Sequence, residues 1–174
     1  MLFRLLFFLF LLLGCSVKEP SVEVLNEKIR NLELLLIGLS PNVSRMEAKD
    51  FAKNSVNFSQ QLAKEYKSVR FPWVHNTFVN LGIRQRGLCY EWGEDLFKFL
   101  SQQGYQTLKL HAIGANIADL NEHNALAVSA KNQGIKKSIV LDAWRDSGNL
   151  YFNKISEDLN YKWKERFGLY DSLK

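Results

Sequence analysis

Hydrophobic and polar residues follow three successive rhythms along this chain, and the switches between them divide it. Leu5 to Leu13 is an unbroken apolar run. Val22, Leu25, Ile29, Leu32, Leu36 and Leu39 then recur at steps of 3, 4, 3, 4 and 3, the stripe of an amphipathic helix. The stripe lasts under three heptads, too short for a coiled coil. The first reading is therefore a helix lying on its own domain; self-association through Val22–Leu39, or partner binding, is the alternative. Ser40-Pro41-Asn42 ends this helix. Ser44 and Glu47 form a capping-box signature before a second helix, whose inward face reads Ala48, Phe51, Ala52, Ser55, Ser59, Leu62, Ala63 and Tyr66. Pro72 precedes a short helix from Trp73 to Leu81, stopped at Gly82. A further helix is predicted from Leu88 to Gln103 and closed by Gly104, with Cys89, Trp92, Leu96 and Phe99 on one face.

After Gly104 the period becomes two. Leu108, Leu110 and Ala112 point one way, while Thr107, Lys109 and His111 point the other, with His111 expected in solvent. Strands are also predicted at Asn124–Val128, Ser138–Ala143 and Leu150–Phe152. Asn132-Gln133-Gly134 and Asp146-Ser147-Gly148-Asn149 supply turns. A last helix is expected over Ser156–Arg166. Helices first and antiparallel strands afterwards predict the α+β class, with residues 22–174 as one domain.

The apolar run is far shorter than the ~20 residues a membrane-spanning helix needs. With Arg4 before it, it suits a secretory leader. Leu12-Leu13-Gly14-Cys15 resembles the bacterial lipobox. That resemblance implies removal of residues 1–14, lipidation of Cys15, and a tether over residues 15–21. Ser16 after the cysteine favours the outer membrane, facing the periplasm. Several acyl chains would hold the anchor, since each buried methylene adds ~0.8 kcal/mol. Of the 174 residues, 47% are hydrophobic and 13% aromatic, enough for a core. The formal net charge is +5, with the basic residues scattered. This is compatible with anionic lipid or cell-wall polymer and weak support for nucleic acid, so no nucleic-acid partner is expected.

The chain has two cysteines. With Cys15 lipidated, Cys89 has no intramolecular partner, although exported proteins usually pair theirs. It is then either a small buried hydrophobe or a reactive thiol. One cysteine and three scattered histidines lack zinc-ligand spacing, and neither metal nor organic cofactor is expected. A reactive thiol needs a base within hydrogen-bond reach and a third group to orient that base. A helix N-terminus also favours the thiolate, although Glu91, Glu94 and Asp95 work against negative charge at that end. If the two central strands form a hairpin centred between Asn132 and Gln133, paired residue numbers sum to 265. His123 would then face Asp142, on one face of the sheet. Ala125 and Ala127 beside it would let a helix approach that face.

A cysteine opening a helix, a histidine on one strand and an aspartate on the next resemble the transglutaminase-like cysteine peptidase superfamily. The resemblance spans roughly residues 72–152. It rests on Gly87-Leu88-Cys89-Tyr90-Glu91-Trp92, His123-Asn124-Ala125-Leu126 and Val140-Leu141-Asp142-Ala143-Trp144. It implies a papain-like or transglutaminase-like core, with Cys89 as nucleophile, His123 as base and Asp142 as orienting carboxylate. It further implies an upstream oxyanion donor, for which Trp73 and Gln85 are the candidates. The activity implied is hydrolysis or acyl transfer on a peptide, protein or cell-wall amide. Cell-wall amidohydrolases of the NlpC/P60 kind have a similar order of residues, but the Asp-Cys-Ser surroundings of their nucleophile are absent. A non-catalytic lipoprotein using the same fold for protein or cell-wall binding is the alternative from another class. His75 is read as structural or cleft-lining, and Trp92, Phe99 and Trp144 as core.

If Cys15 carries the anchor, Cys15→Ser leaves the protein unprocessed or releases it from membranes. Detergent partitioning and acyl labelling read this directly, and wild-type behaviour in both contradicts the assignment.

Overall fold

The computed structural model describes residues 19–170; the expected leader and Cys15 lie outside them. Four helices precede a five-stranded antiparallel sheet. Helix α1 spans Val22–Ile37, and Ser21 Oγ accepts the Val24 N–H at 3.3 Å to cap it. Leu32 and Leu36 of its stripe are fully buried, and Leu25, Ile29 and Leu39 pack partly against the same core. Most of the stripe is thus consumed within the chain's own domain.

Helix α2 spans Arg45–Glu65 and buries the expected face, with Val56 in addition. Its capping box is only half formed. Ser44 Oγ accepts from Glu47 N at 3.4 Å, but the Glu47 carboxylate turns away from its own helix. It accepts the N–H groups of Gln106 and Thr107, both at 2.8 Å, and the Thr107 hydroxyl. Thr107 Oγ1 in turn accepts from Ser44 N at 3.1 Å. One carboxylate thereby ties the start of α2 to the start of the sheet. Helix α3 spans Pro72–Asn80, with proline in the first turn where its missing N–H costs nothing. Helix α4 spans Cys89–Ser101, one residue shorter at its start and two at its end than predicted, with Leu88 as N-cap.

The strands are β1 Leu108–Ala115, β2 His123–Ala130, β3 Ile139–Asp142, β4 Tyr151–Lys154 and β5 Lys164–Glu165. They lie in the order β4-β3-β2-β1-β5. All eight residues of β2 are buried, because it is central and covered on both faces. On one face Ala112, Leu126, Val128, Ile139 and Leu141 join the helices in the main core. On the other, Ile113, Ala125, Ala127 and Val140 form a smaller core beneath Ile135, Ile155 and Trp163.

Four expectations need correction, the last of them the solvated His111. Strands β2 and β3 pair Leu126 with Leu141, Ala127 with Val140 and Val128 with Ile139, so paired numbers sum to 267 instead of 265. The short 3-10 turn Ile135–Lys137 lengthens the connection and moves the register. A shift of two keeps every side chain on its predicted face, whereas a shift of one would have reversed them. Second, α4 covers the Leu126 face and not the Ala125/Ala127 strip. Its close approach comes from Gly93, where a Cβ would stand 2.9 Å from Tyr170 Oη and 3.9 Å from Ala125 Cα. Third, no helix occupies Ser156–Arg166. After the 3-10 turn Ile155–Glu157 the chain runs across the smaller core and adds β5 to the edge of β1. His111 is buried there instead of solvated, bonded to Glu165 on β5 and to Ser129 Oγ at 2.8 Å.

Candidate functional site

Cys89 stands at the first position of α4 because the loop before it is held on two sides. Gly87 has φ +126°, a conformation that disfavours other residues. A Cβ there would collide with His75 Nε2. His75 is buried on α3, and its Nε2 donates to the Arg86 carbonyl at 2.9 Å. From the helix side, the Glu91 carboxylate accepts the N–H groups of Gly87 and Leu88 at 2.7 and 2.9 Å. Glu91 therefore acts as a cap that spends its charge on backbone donors. The N–H groups of Cys89 and Tyr90 have no hydrogen-bond partner among the described residues, the usual condition of a first helical turn. The thiol is half-buried and donates a long bond, 3.9 Å, to the Glu122 carbonyl at the mouth of β2.

His123 opens β2 and Asp142 closes β3. His123 Nε2 donates to Asp142 Oδ2 at 2.6 Å, with the two side chains 3% and 1% exposed. This leaves Nδ1 as the ring nitrogen available to the thiol. Burial opposes a charge on His123. The Asp142 hydrogen bond, the neighbouring Cys89 and the Asp142 charge outweigh it and raise the imidazole to about 9. Burial likewise works against an ionised Asp142. The His123 bond and charge, the Arg145 charge and the Arg145 backbone N–H together hold its carboxyl below the usual range.

Arg145 is the residue that the sequence reading left out. Its Nε and its backbone N–H each donate to Asp142 at 3.0 Å. Its two terminal nitrogens fork onto Asp158 at 3.2 and 2.7 Å. Its guanidinium stacks 3.8 Å from the Tyr151 ring centroid and 4.9 Å from that of Tyr161. Asp158 also accepts Trp163 Nε1 at 2.8 Å. His123, Asp142, Arg145 and Asp158 alternate in sign, so the buried group is neutral as a whole. Trp144, Tyr161 and Trp163 enclose the imidazole, with ring centroids at 4.8, 4.7 and 5.5 Å. The sequence signal for Arg145 and Asp158 was slight: charged residues interleaved with aromatics in a segment read as a turn and a helix.

The structure does not bring the two oxyanion candidates to this group by any contact. Trp73 is exposed on α3, beside Phe71. Gln85 lines a separate cleft with Tyr66, Lys67 and Asp95. A different cleft, of about 350 Å³, adjoins the thiol through Tyr90 and Glu122 and is completed by Glu94, Asn124, Arg166, Leu169 and Tyr170. Phe99 is partly buried and stacks on Phe58, Trp92 lies in the main core, and Trp144 divides its contacts between His123 and Asn76. Among the described residues no three His, Cys, Asp or Glu side chains group as a metal site. Comparison with protein-family models, with curated proteins and with solved structures finds no match for this chain.

The raised imidazole makes a directional prediction. A group whose folded value exceeds its ordinary ~6.5 contributes stability that is complete below that value. The contribution is lost as pH rises through about 9. The melting temperature of wild type therefore falls between pH 6.5 and 9 more steeply than that of His123→Gln. Equal slopes in this window contradict the coupling.

Proposed function

We propose that this chain is a cysteine-dependent acyltransferase or amide hydrolase built on a transglutaminase-like core. Cys89 is the nucleophile, His123 carries the proton, and Asp142 holds the imidazole. One observation carries the reading: a buried histidine, bonded through Nε2 to a carboxylate, whose proton is favoured jointly by that carboxylate and by the only cysteine of the described domain. Structural histidines seldom need two acidic partners on opposite sides of the ring, while a nucleophile–base–orienter series does.

In this reading His123 already holds the proton as an imidazolium beside Cys89, and Sγ, as the thiolate, attacks the carbonyl carbon of an amide. The oxyanion lies toward the free N–H groups of Cys89 and Tyr90, aided by the helix end. The carbon–nitrogen bond then breaks, and His123 gives its proton to the leaving amine, leaving a thioester on Cys89. Water activated by His123 releases the acid, or an amine takes the acyl group. Asp142 keeps Nδ1 turned toward sulfur throughout, and Arg145 keeps Asp142 from turning away. The chemistry draws on peptide, protein or cell-wall amides. Its setting is the cell envelope, with the domain held by lipid on Cys15.

An activity-based thiol probe labels Cys89 in wild type, and His123→Ala loses most of that labelling. Cys89→Ala abolishes activity at a stability cost of ~1 kcal/mol, typical of a methyl-sized change. Asp142→Asn is less severe, since it removes tautomer control and not the attacking atom. Melting curves accompany each variant. A folded Cys89→Ala chain that retains full cellular function overturns the enzymatic reading in favour of a binding lipoprotein.

A further inference from the structure

The outward face of helix α3 is left uncovered among the described residues. The only buried residue of the helix is His75. Trp73, Thr77 and Leu81 follow at intervals of four and form an exposed stripe, with Trp73 67% and Leu81 68% accessible. Phe71, 47% exposed, lies with its ring 6.2 Å from that of Trp73. Ile83, 55% exposed, continues the stripe where the chain turns back. An uncovered cluster of two aromatic and two branched aliphatic side chains marks an interaction surface.

The surrounding charge is of one sign. Between residues 64 and 86 there are five basic residues and one acidic residue, nearly the whole of the chain's formal +5. Arg86 is engaged by Asp95 at 3.0 Å and Lys64 by Glu19 at 3.1 Å. Lys67, Arg70 and Arg84 have no carboxylate partner among the described residues. Arg70 lies 5.5 Å from the Phe71 ring centroid. Arg84 Nε donates to the Lys67 carbonyl at 3.3 Å, closing the base of the projection. Exposed tryptophan and aliphatic side chains ringed by unpaired cations are the composition of a surface that sits in lipid headgroups.

The position of the N-terminus favours the same partner. The Glu19–Lys64 pair holds the chain at the C-terminal end of α2, where Lys67 and Arg70 lead into α3. Cys15 is only four residues before Glu19, a reach of at most ~14 Å when extended. A lipid on Cys15 would therefore enter the bilayer at the end of the domain that carries the exposed stripe.

We propose that the outward face of α3, with Phe71, Trp73, Leu81 and Ile83 as apolar contacts and Lys67, Arg70 and Arg84 as cationic ones, docks on an anionic bilayer surface. The other side of α3 holds the candidate site, because Asn76 Oδ1 accepts Trp144 Nε1 at 3.0 Å and Trp144 packs on His123. Docking through α3 fixes the Cys89 group a helix's width from the membrane. This surface is independent of whether Cys89 is a nucleophile.

The test uses the full chain reconstituted in vesicles of phosphatidylglycerol and phosphatidylcholine with brominated acyl chains, which quench tryptophan emission on contact. Wild type loses a component of emission that Trp73→Phe does not lose, since Trp92, Trp144 and Trp163 stay inside the protein. The loss falls at least twofold in vesicles of phosphatidylcholine alone, and in the Lys67→Glu/Arg70→Glu/Arg84→Glu variant, whose circular dichroism remains that of wild type. Equal quenching of wild type and Trp73→Phe overturns the proposal and leaves the surface to a protein partner. Quenching of Trp73 that ignores lipid charge overturns the anionic assignment. Because the comparison is between two anchored chains, neither result depends on how the N-terminus is held.

Discussion

Placing a carboxylate and an imidazole inside a sheet is expensive unless each lone pair and each proton finds a partner, and the C-terminal half of this molecule is arranged around that constraint. Asp142 is 1% exposed and would cost several kcal/mol as an isolated ion. It accepts one bond from His123 and two from Arg145, so its charge is divided among three donors. Arg145 is in turn held by Asp158, and Asp158 by Trp163 and the Asn160 N–H. Removing any one member would leave its neighbours buried with fewer partners than their charge and protons require. The aromatic rings around His123 complete the enclosure and exclude the water that would otherwise weaken these bonds.

The helical half answers a separate problem, that of bringing a thiol to the end of this network without burying it. The Glu91 cap fixes the turn before Cys89, and His75 beneath Gly87 fixes its height. Gly93 then allows α4 to cross β2 closely enough for the first turn of the helix to reach the mouth of that strand. Cys89 thereby meets the ring of His123 over the edge of the sheet, from a helix that packs on the opposite face.

The helices were legible in the sequence because their buried faces repeat at helical spacing; α2 buries Ala48, Phe51, Ala52, Ser55, Ser59, Leu62, Ala63 and Tyr66 as the pattern requires. The α+β order and the shared face of His123 and Asp142 were legible for a related reason, since alternation survives any even shift of register. The register itself was not legible, because a 3-10 turn at Ile135–Lys137 adds residues that a tight hairpin would not contain. His111 was misjudged because its partners, Ser129 and Glu165, are distant in sequence. Arg145 and Asp158 were missed for the same reason: their roles exist only once the chain folds back over β3. Long-range pairing of polar groups leaves no local period to read.

One proton on His123, favoured by Asp142 and by the neighbouring Cys89, links the two halves of the molecule. The most direct measurement is an NMR titration of the His123 ring protons in wild type and in Cys89→Ala. The wild-type midpoint is expected near 9 and that of Cys89→Ala lower, because the variant loses the neighbouring sulfur that favours the proton. The same midpoint in both proteins, or a wild-type midpoint at the ordinary ~6.5, would contradict this.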